Sequence, residues 1–189
     1  QDSPTELERN IIVKDISNIM LQALQETRSL IFALSSPLMN EIGLGAAIAE
    51  WLEEQVEKRY GIKTQFSDTI AKEHRKKLDE NVRALLFRNV RELLTNVIKH
   101  SRASAVSVRL QENGSEIQIL IEDDGVGFDH DVLKNQSRST NGFGLFSVQE
   151  RMADLGGRCD ILSAPGKGCR VILTVPLEKS DGVVAGGTD

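Results

Sequence analysis

The segment RELLTNVIKH (residues 91–100) sets a carboxylate, an amide, an ammonium and an imidazole along one flank of a helix whose other flank is apolar. Leu93, Leu94, Val97 and Ile98 recur at helical spacing and face a core, whereas Glu92, Asn96, Lys99 and His100 share the opposite side. Asn has low helix propensity, so a chemical reason for Asn96 is expected. A side-chain amide oxygen is a hard ligand that Mg²⁺ accepts beside nucleotide phosphates and water. Glu92, one turn earlier, can hold a metal-bound water or act as a base. Lys99, one turn later, can neutralise phosphate charge. His100 can line the sugar or phosphates, or serve only the structure.

DDGVGF (residues 123–128) places two glycines at the end of an apolar strand, where a flat ligand can approach the backbone closely. Asp123, as a carboxylate, only accepts hydrogen bonds. It suits a ligand amino group such as adenine N6. Guanine presents a carbonyl oxygen there and leaves acceptors unpaired, at about 1–3 kcal/mol. Taken alone, this motif is equally a tight turn with a solvated aspartate. NGFGLFSVQER (residues 141–151) is a glycine-rich loop entering a helix, whose exposed amides and dipole suit phosphate oxygens. PGKG (residues 165–168), by itself, is a hairpin turn.

These residues need elements to hold them. Ile16, Ile19, Met20, Ala23, Leu24, Leu30, Ile31 and Leu34 form a long apolar stripe ended by Pro37, read as a bundle or dimer helix or as a helix packed on its own domain. A second helix, LGAAIAEWLEEQVEKRYG, stops at Gly61 and leads to a short strand, IKTQF. The charged run 72–83 reads as the solvated start of the helix that spans about 80–101. VSVRL and EIQILIE alternate around ENGS as a β-hairpin, residues 129–141 form a polar loop, and GFGLFSVQERMADLG is a helix. Residues 158–177 make a last hairpin. The expected fold class is therefore α/β (α+β): a two-layer α/β sandwich with a mixed sheet and helices on one face, preceded by a long N-terminal helix.

Bulk composition narrows the class. The 189 residues are 40% hydrophobic and 27% charged, as in a soluble globular protein. A net charge of -5 argues against a nucleic-acid surface. No apolar run approaches the ~20 residues of a membrane-spanning helix, so direct membrane insertion is not expected. Cys159 and Cys169 flank the PGKG turn about five residues out of register, too far apart for a disulfide at ~3.3 Å per residue. Reduced thiols then fit a cytoplasmic setting.

The order ExxxNxxKH, hairpin, DxGxG, polar loop, GxGL resembles the ATP-binding domain shared by sensor histidine kinases, DNA gyrase, heat-shock-90-type chaperones and mismatch-repair ATPases. ELLTNVIKHSRASAVSV, DDGVGF, GFGLFSVQERMADLGG and GKGCRVILTVPL look more narrowly like the histidine-kinase branch that includes the nitrate sensors. The resemblance implies that Asn96, with Glu92 beside it, carries Mg²⁺, and that Lys99 and His100 serve the phosphates of ATP. It implies that Asp123 reads adenine with Gly125 and Gly127 under the base, and that residues 129–141 form a lid. Gly142 and Gly144 would be its phosphate-side hinge, with Leu145 at the nucleotide. The family commonly has Thr near the base where this chain has Cys169, a weaker donor. It further implies residues 1–37 as the second helix of a dimerisation hairpin, 38–61 as a connecting helix, 62–177 as the catalytic domain and 178–189 as a disordered tail.

Such a kinase passes the ATP γ-phosphoryl to its own histidine and then to the receiver domain of a response regulator, and works as a homodimer. Here the three histidines are His74, a surface residue followed by Arg, His100 on the ATP helix and His130 in the lid. None fits the acceptor role, so the chain is expected to be a fragment that lacks the phosphoacceptor and does not label itself, from the cytoplasmic portion of a sensor. Two other classes stay open. One is a non-catalytic nucleotide-binding interaction module, which would not need both Glu92 and Asn96. The other is a gyrase- or chaperone-like ATPase, which would continue into a large transducer domain.

Overall fold

The computed structural model describes Met20 and residues 43–129 and 143–177. The expected dimerisation helix (but for Met20), most of the lid with His130, Gly142 and the tail lie outside the described residues. Helix α1 (Gly43–Trp51) runs on through a π-helical stretch (Leu52–Glu57) and a last α turn (Lys58–Tyr60). Leu44, Ala47, Ile48, Leu52 and Val56 are its buried stripe. Gly61 ends it as expected: with φ +71° it adopts the left-handed conformation and donates its N–H to Glu57 O at 2.8 Å.

Strand β1 (Lys63–Asp68) precedes a short helix α2 (Lys72–Lys77) and the long helix α3 (Glu80–Asn96), which continues as a π-helical stretch (Val97–Ser101). Strands β2 (Ala105–Asn113) and β3 (Glu116–Asp123) form a hairpin, helix α4 (Phe143–Asp154) follows, and β4 (Arg158–Ser163) and β5 (Cys169–Pro176) close the domain. The sheet order is β1-β2-β3-β5-β4. The β1–β2 pair is parallel and the others antiparallel, so the sheet is mixed. The parallel pair requires a crossover, and α2 and α3 supply it.

Strict alternation decides the faces. Val106, Val108 and Leu110, Ile117, Ile119 and Ile121, and Val171, Leu173 and Val175 are buried. The intervening positions carry polar pairs such as Arg170 Nε–Glu122 Oε1 at 2.5 Å and Arg158 Nη1–Glu116 Oε1 at 2.7 Å. One face of the sheet therefore meets the helices, giving the two-layer α/β sandwich. Helix α3 supplies Leu86, Phe87, Val90, Leu93 and Leu94 to that core, and α4 supplies Val148 and Met152. The Arg91 guanidinium lies over the rings of Trp51 and Phe87, at 5.8 and 5.9 Å from their centroids, which ties α1 to α3.

Three local readings are corrected. The charged run 72–83 is not one helix start. Leu78 is buried and extended, and Asp79 begins a new helix by accepting the Asn81 N–H at 2.8 Å. His74 is half-buried rather than solvated, with Nδ1 3.0 Å from Glu112 Oε2. Ser163 pairs with Cys169 and Cys159 with Leu173, so the cysteines are four rather than five residues out of register, and both are free.

The core hierarchy is testable by urea unfolding. Leu94→Ala, at a position with no exposure, is expected to cost about 2–5 kcal/mol. Leu162→Ala, at a position 57% exposed, should change stability by no more than about 0.5 kcal/mol. The reverse ranking would contradict the placement of the core on the helix side of the sheet.

Candidate functional site

Helix α3 carries the first cluster. Its apolar side is locked into the core by Val90, Leu93 and Leu94, which leaves Glu92 and Asn96 half-buried on the adjoining flank. The Val97 N–H is shared between Leu93 O and Leu94 O, and from there the helix widens into its π-helical stretch. Lys99 and His100 lie in that stretch and are exposed. A wider turn displaces them from the flank that an unbroken α-helix would give them. Arg102, at φ 52°, terminates the helix.

The helix end is tied to the DDGVGF turn. Ser101 Oγ donates to Val97 O at 2.7 Å and accepts from the Ala103 N–H at 3.0 Å. The Ser101 carbonyl accepts the Val126 N–H at 2.7 Å. A Cβ on Gly125 would come within 2.2 Å of that carbonyl oxygen, so only glycine allows the approach. Asp123 Oδ1 accepts the Gly125 N–H at 2.9 Å. Burial pushes the Asp123 carboxyl above the ordinary range, the Gly125 N–H opposes this, and neighbouring Asp124 adds to it. Asp124 is spent on structure: its carboxylate accepts from the Ser104 and Ala105 N–H groups at 2.8 and 2.9 Å and from the Ser104 hydroxyl at 2.5 Å. The Ser104 hydroxyl, followed by the Ala105 N–H, stabilises the carboxylate and holds its pKa below the ordinary value.

The last hairpin forms the opposite wall. Cys169 pairs with Asp123 in the β3–β5 register. A Cβ on Gly127 would meet Ala164 O at 2.1 Å, and Gly127 has φ +59°, so two constraints demand glycine there. The Gly166 N–H donates to Val126 O at 2.6 Å, while Ser163 Oγ accepts the Phe128 N–H at 3.0 Å and donates to Gly168 O at 2.9 Å. Burial, reinforced by Asp123, raises the Cys169 thiol to about 11, so it stays protonated at neutral pH. Asp123, Ser163, Lys167, Gly168 and Cys169, together with Glu122, Leu162 and Arg170 from the helix-free side of the sheet, line an open cleft of about 440 Å³.

Helix α4 brings Gly144 to the first cluster. A Cβ there would lie 2.7 Å from Glu92 Oε1 and 3.5 Å from Asn96 Nδ2. Leu145 packs against the core beside it. Thus the structure joins Glu92, Asn96 and Gly144 at one end, and Asp123, Gly125, Gly127 and Cys169 at the other, with Ser101 linking them. Gly142 lies outside the described residues. Sequence reasoning missed Ser101, Ser104, Asp124 and Ser163. The paired Asp of DDGVGF was a signal, but the serines needed the tertiary fold to show their partners.

Residues 81–179 match the family described as histidine kinase-, DNA gyrase B-, and HSP90-like ATPase. The chain is 32% identical over 165 residues to a sensor-like histidine kinase of Chloroflexus aurantiacus, covering 87% of this chain and 27% of that protein. It is 31% identical over 166 residues to the sensor histidine kinase LiaS of Bacillus subtilis, covering 87% of this chain and 43% of LiaS. The chain thus spans less than half the length of these relatives. The blue-light activated histidine kinase EL346 of Erythrobacter litoralis shares the fold, with a TM-score of 0.64 at 19% identity, covering 95% of this chain and 63% of that one. Among the described residues no helix is long and apolar enough to cross a membrane. The match across 81–179 takes in more than half of the chain, and the chain belongs to the histidine kinase-, DNA gyrase B- and HSP90-like ATPase family.

Proposed function

We propose that this chain is the ATP-binding catalytic part of a two-component sensor histidine kinase, which presents the γ-phosphoryl of Mg-ATP to a histidine carried elsewhere and thence to a response-regulator aspartate. The observation that carries the reading is the meeting of Glu92, Asn96 and Gly144 on a helix whose far end is tied, through the Ser101 carbonyl and the Val126 N–H, to the turn that follows the half-buried Asp123. Phosphoryl transfer asks mainly for positioning and charge stabilisation, and this arrangement offers both. The parent would act as a homodimer, with residues 1–37 in its dimerisation hairpin, 62–177 as its catalytic domain, and this part on the cytoplasmic side.

Asp123 accepts the adenine amino group with the carboxylate oxygen that Gly125 leaves free, and Gly125 and Gly127 keep the base plane clear of side chains. Cys169, a protonated thiol beside Asp123, offers the base only a weak contact. The Glu92 carboxylate and the Asn96 amide are a hard-oxygen pair that fits Mg²⁺, an ion that completes its shell with water and phosphate oxygens. When bound, Mg²⁺ neutralises charge on the phosphates. Glu92 orients a water in that shell or takes the acceptor's proton. Lys99 and His100, exposed at the helix end, meet phosphate from the solvent side. Gly142, Gly144 and Leu145 shape the phosphate-side hinge of the lid, and Gly144 leaves Glu92 and Asn96 uncovered.

Calorimetry and labelling test this. The chain should bind Mg-ATP, remain unlabelled by γ-labelled ATP on its own, and label a histidine-bearing dimerisation hairpin supplied in trans. Self-labelling would overturn the external acceptor, and sustained hydrolysis without an acceptor would favour a gyrase- or chaperone-like ATPase. Glu92→Gln should keep nucleotide binding and slow transfer by on the order of 10²–10⁴-fold. Gly144→Ala should fold, because its Cβ comes too close only to the end of the flexible Glu92 side chain, yet weaken Mg-ATP binding measurably.

Asp123→Asn puts an amide N–H against the adenine amino group, and nucleotide affinity should fall on the order of 100-fold. Burial raises the Asp123 carboxyl, so the folded state prefers the protonated acid. The stability this group contributes is full below the ordinary carboxylate range and is lost as pH rises through the raised value. Asp123→Asn should therefore raise the melting temperature of the free protein at neutral pH, with a smaller gain in acid. Equal shifts at both pH values would contradict this.

A further inference from the structure

Asn89 and Thr174 are the buried polar side chains among the described residues, and Asn89 has no exposure at all. It sits on α3 among Leu86, Phe87, Val90 and Leu93, one helical turn before Glu92 and two before Asn96. Its Oδ1 accepts the Arg151 Nε–H from α4 at 2.7 Å. Its Nδ2 is buried without a hydrogen-bond partner among the described residues. Half of this amide is therefore desolvated without return, a cost that stability alone does not explain.

Arg151 lies two turns after Gly144 on α4, and Asn89 lies before Glu92 on α3. The two helices thus run antiparallel, joined by Gly144 against Glu92 and Asn96 at one place and by Arg151 against Asn89 at another. Between these points Leu93 and Val148 are buried, and Met152 is buried just beyond Arg151. Apolar ridges tolerate sliding by a helical step, whereas a charged donor on one buried acceptor does not. We propose that Asn89 and Arg151 are a positioning pair that fixes the register of α4 on α3 and so holds Gly144 against Glu92 and Asn96. This rests on the nucleotide-site reading above and deepens it: the pair acts on the phosphate end and leaves the adenine end alone.

The separation of binding from stability provides the test. Asn89→Leu removes the orphaned amide at similar volume, so the urea midpoint should hold or rise. Mg-ATP affinity should nevertheless fall about tenfold, while affinity for ADP without metal stays within about twofold. Amides of residues 147–154 should exchange faster in the free protein. Arg151→Met should repeat this pattern, and Asn89→Asp, which keeps an acceptor for Arg151, should retain wild-type Mg-ATP affinity. Wild-type Mg-ATP affinity in both Asn89→Leu and Arg151→Met overturns the pairing role. So does an equal loss for ADP without metal, which would mark a general structural defect. If the unmodified chain fails to bind Mg-ATP, the functional reading falls, and the register pair is decided by amide exchange: unchanged rates in both variants overturn it.

Discussion

The site depends on one close approach, that of the Gly125 backbone to the Ser101 carbonyl. The Val126 N–H reaches that carbonyl at 2.7 Å only because Gly125 has no side chain to intervene. The contact joins the end of the long helix to the end of the central strand. The helix carries Glu92 and Asn96 and the strand carries Asp123, so their separation is fixed by backbone rather than by flexible side chains. Ser101 strengthens the joint from the helix side by bonding Val97 O and the Ala103 N–H. Asp124 does so from the strand side by capping Ser104 and Ala105. A site built on such rigid elements keeps its geometry without a ligand present.

The same joint explains how adjacent aspartates come to differ. Asp124 is fully supplied with donors and is held on the acidic side of its usual range, whereas Asp123 has one backbone donor and an otherwise desolvating surrounding. The first is satisfied by the fold. The second keeps unspent acceptor capacity facing the cleft, and burial makes that capacity costly until a donor arrives. The Cys169 thiol, raised by burial and by Asp123 itself, adds no competing charge.

Much was legible in the linear chain. The β2–β3 hairpin followed from alternation around ENGS, the end of the first described helix from Gly61, and the faces of the sheet from period two. Asn96 stood out by its low helix propensity, Glu92 by its place one turn before it, and Asp123 by its place at a strand end beside two glycines. Lys99 and His100 were harder to place, since equal helical spacing fails where the helix widens at Val97. The split of the charged run 72–83 was likewise hidden, because a buried Leu78 and a capping Asp79 look ordinary without the surface that buries the leucine.

By itself, the sequence determined the element types, the two-layer class and the residue kinds at the site, because periodicity and glycine placement are local properties of the chain. The tertiary structure alone decided which of those residues meet. Gly144 and Glu92 are 52 positions apart, and Asn89 and Arg151 are 62. No local rule predicts such contacts, because they arise from how two helices settle on one face of a sheet. Ser101, Ser163 and Arg151 gained meaning only there, since a hydrogen bond is defined by both of its ends.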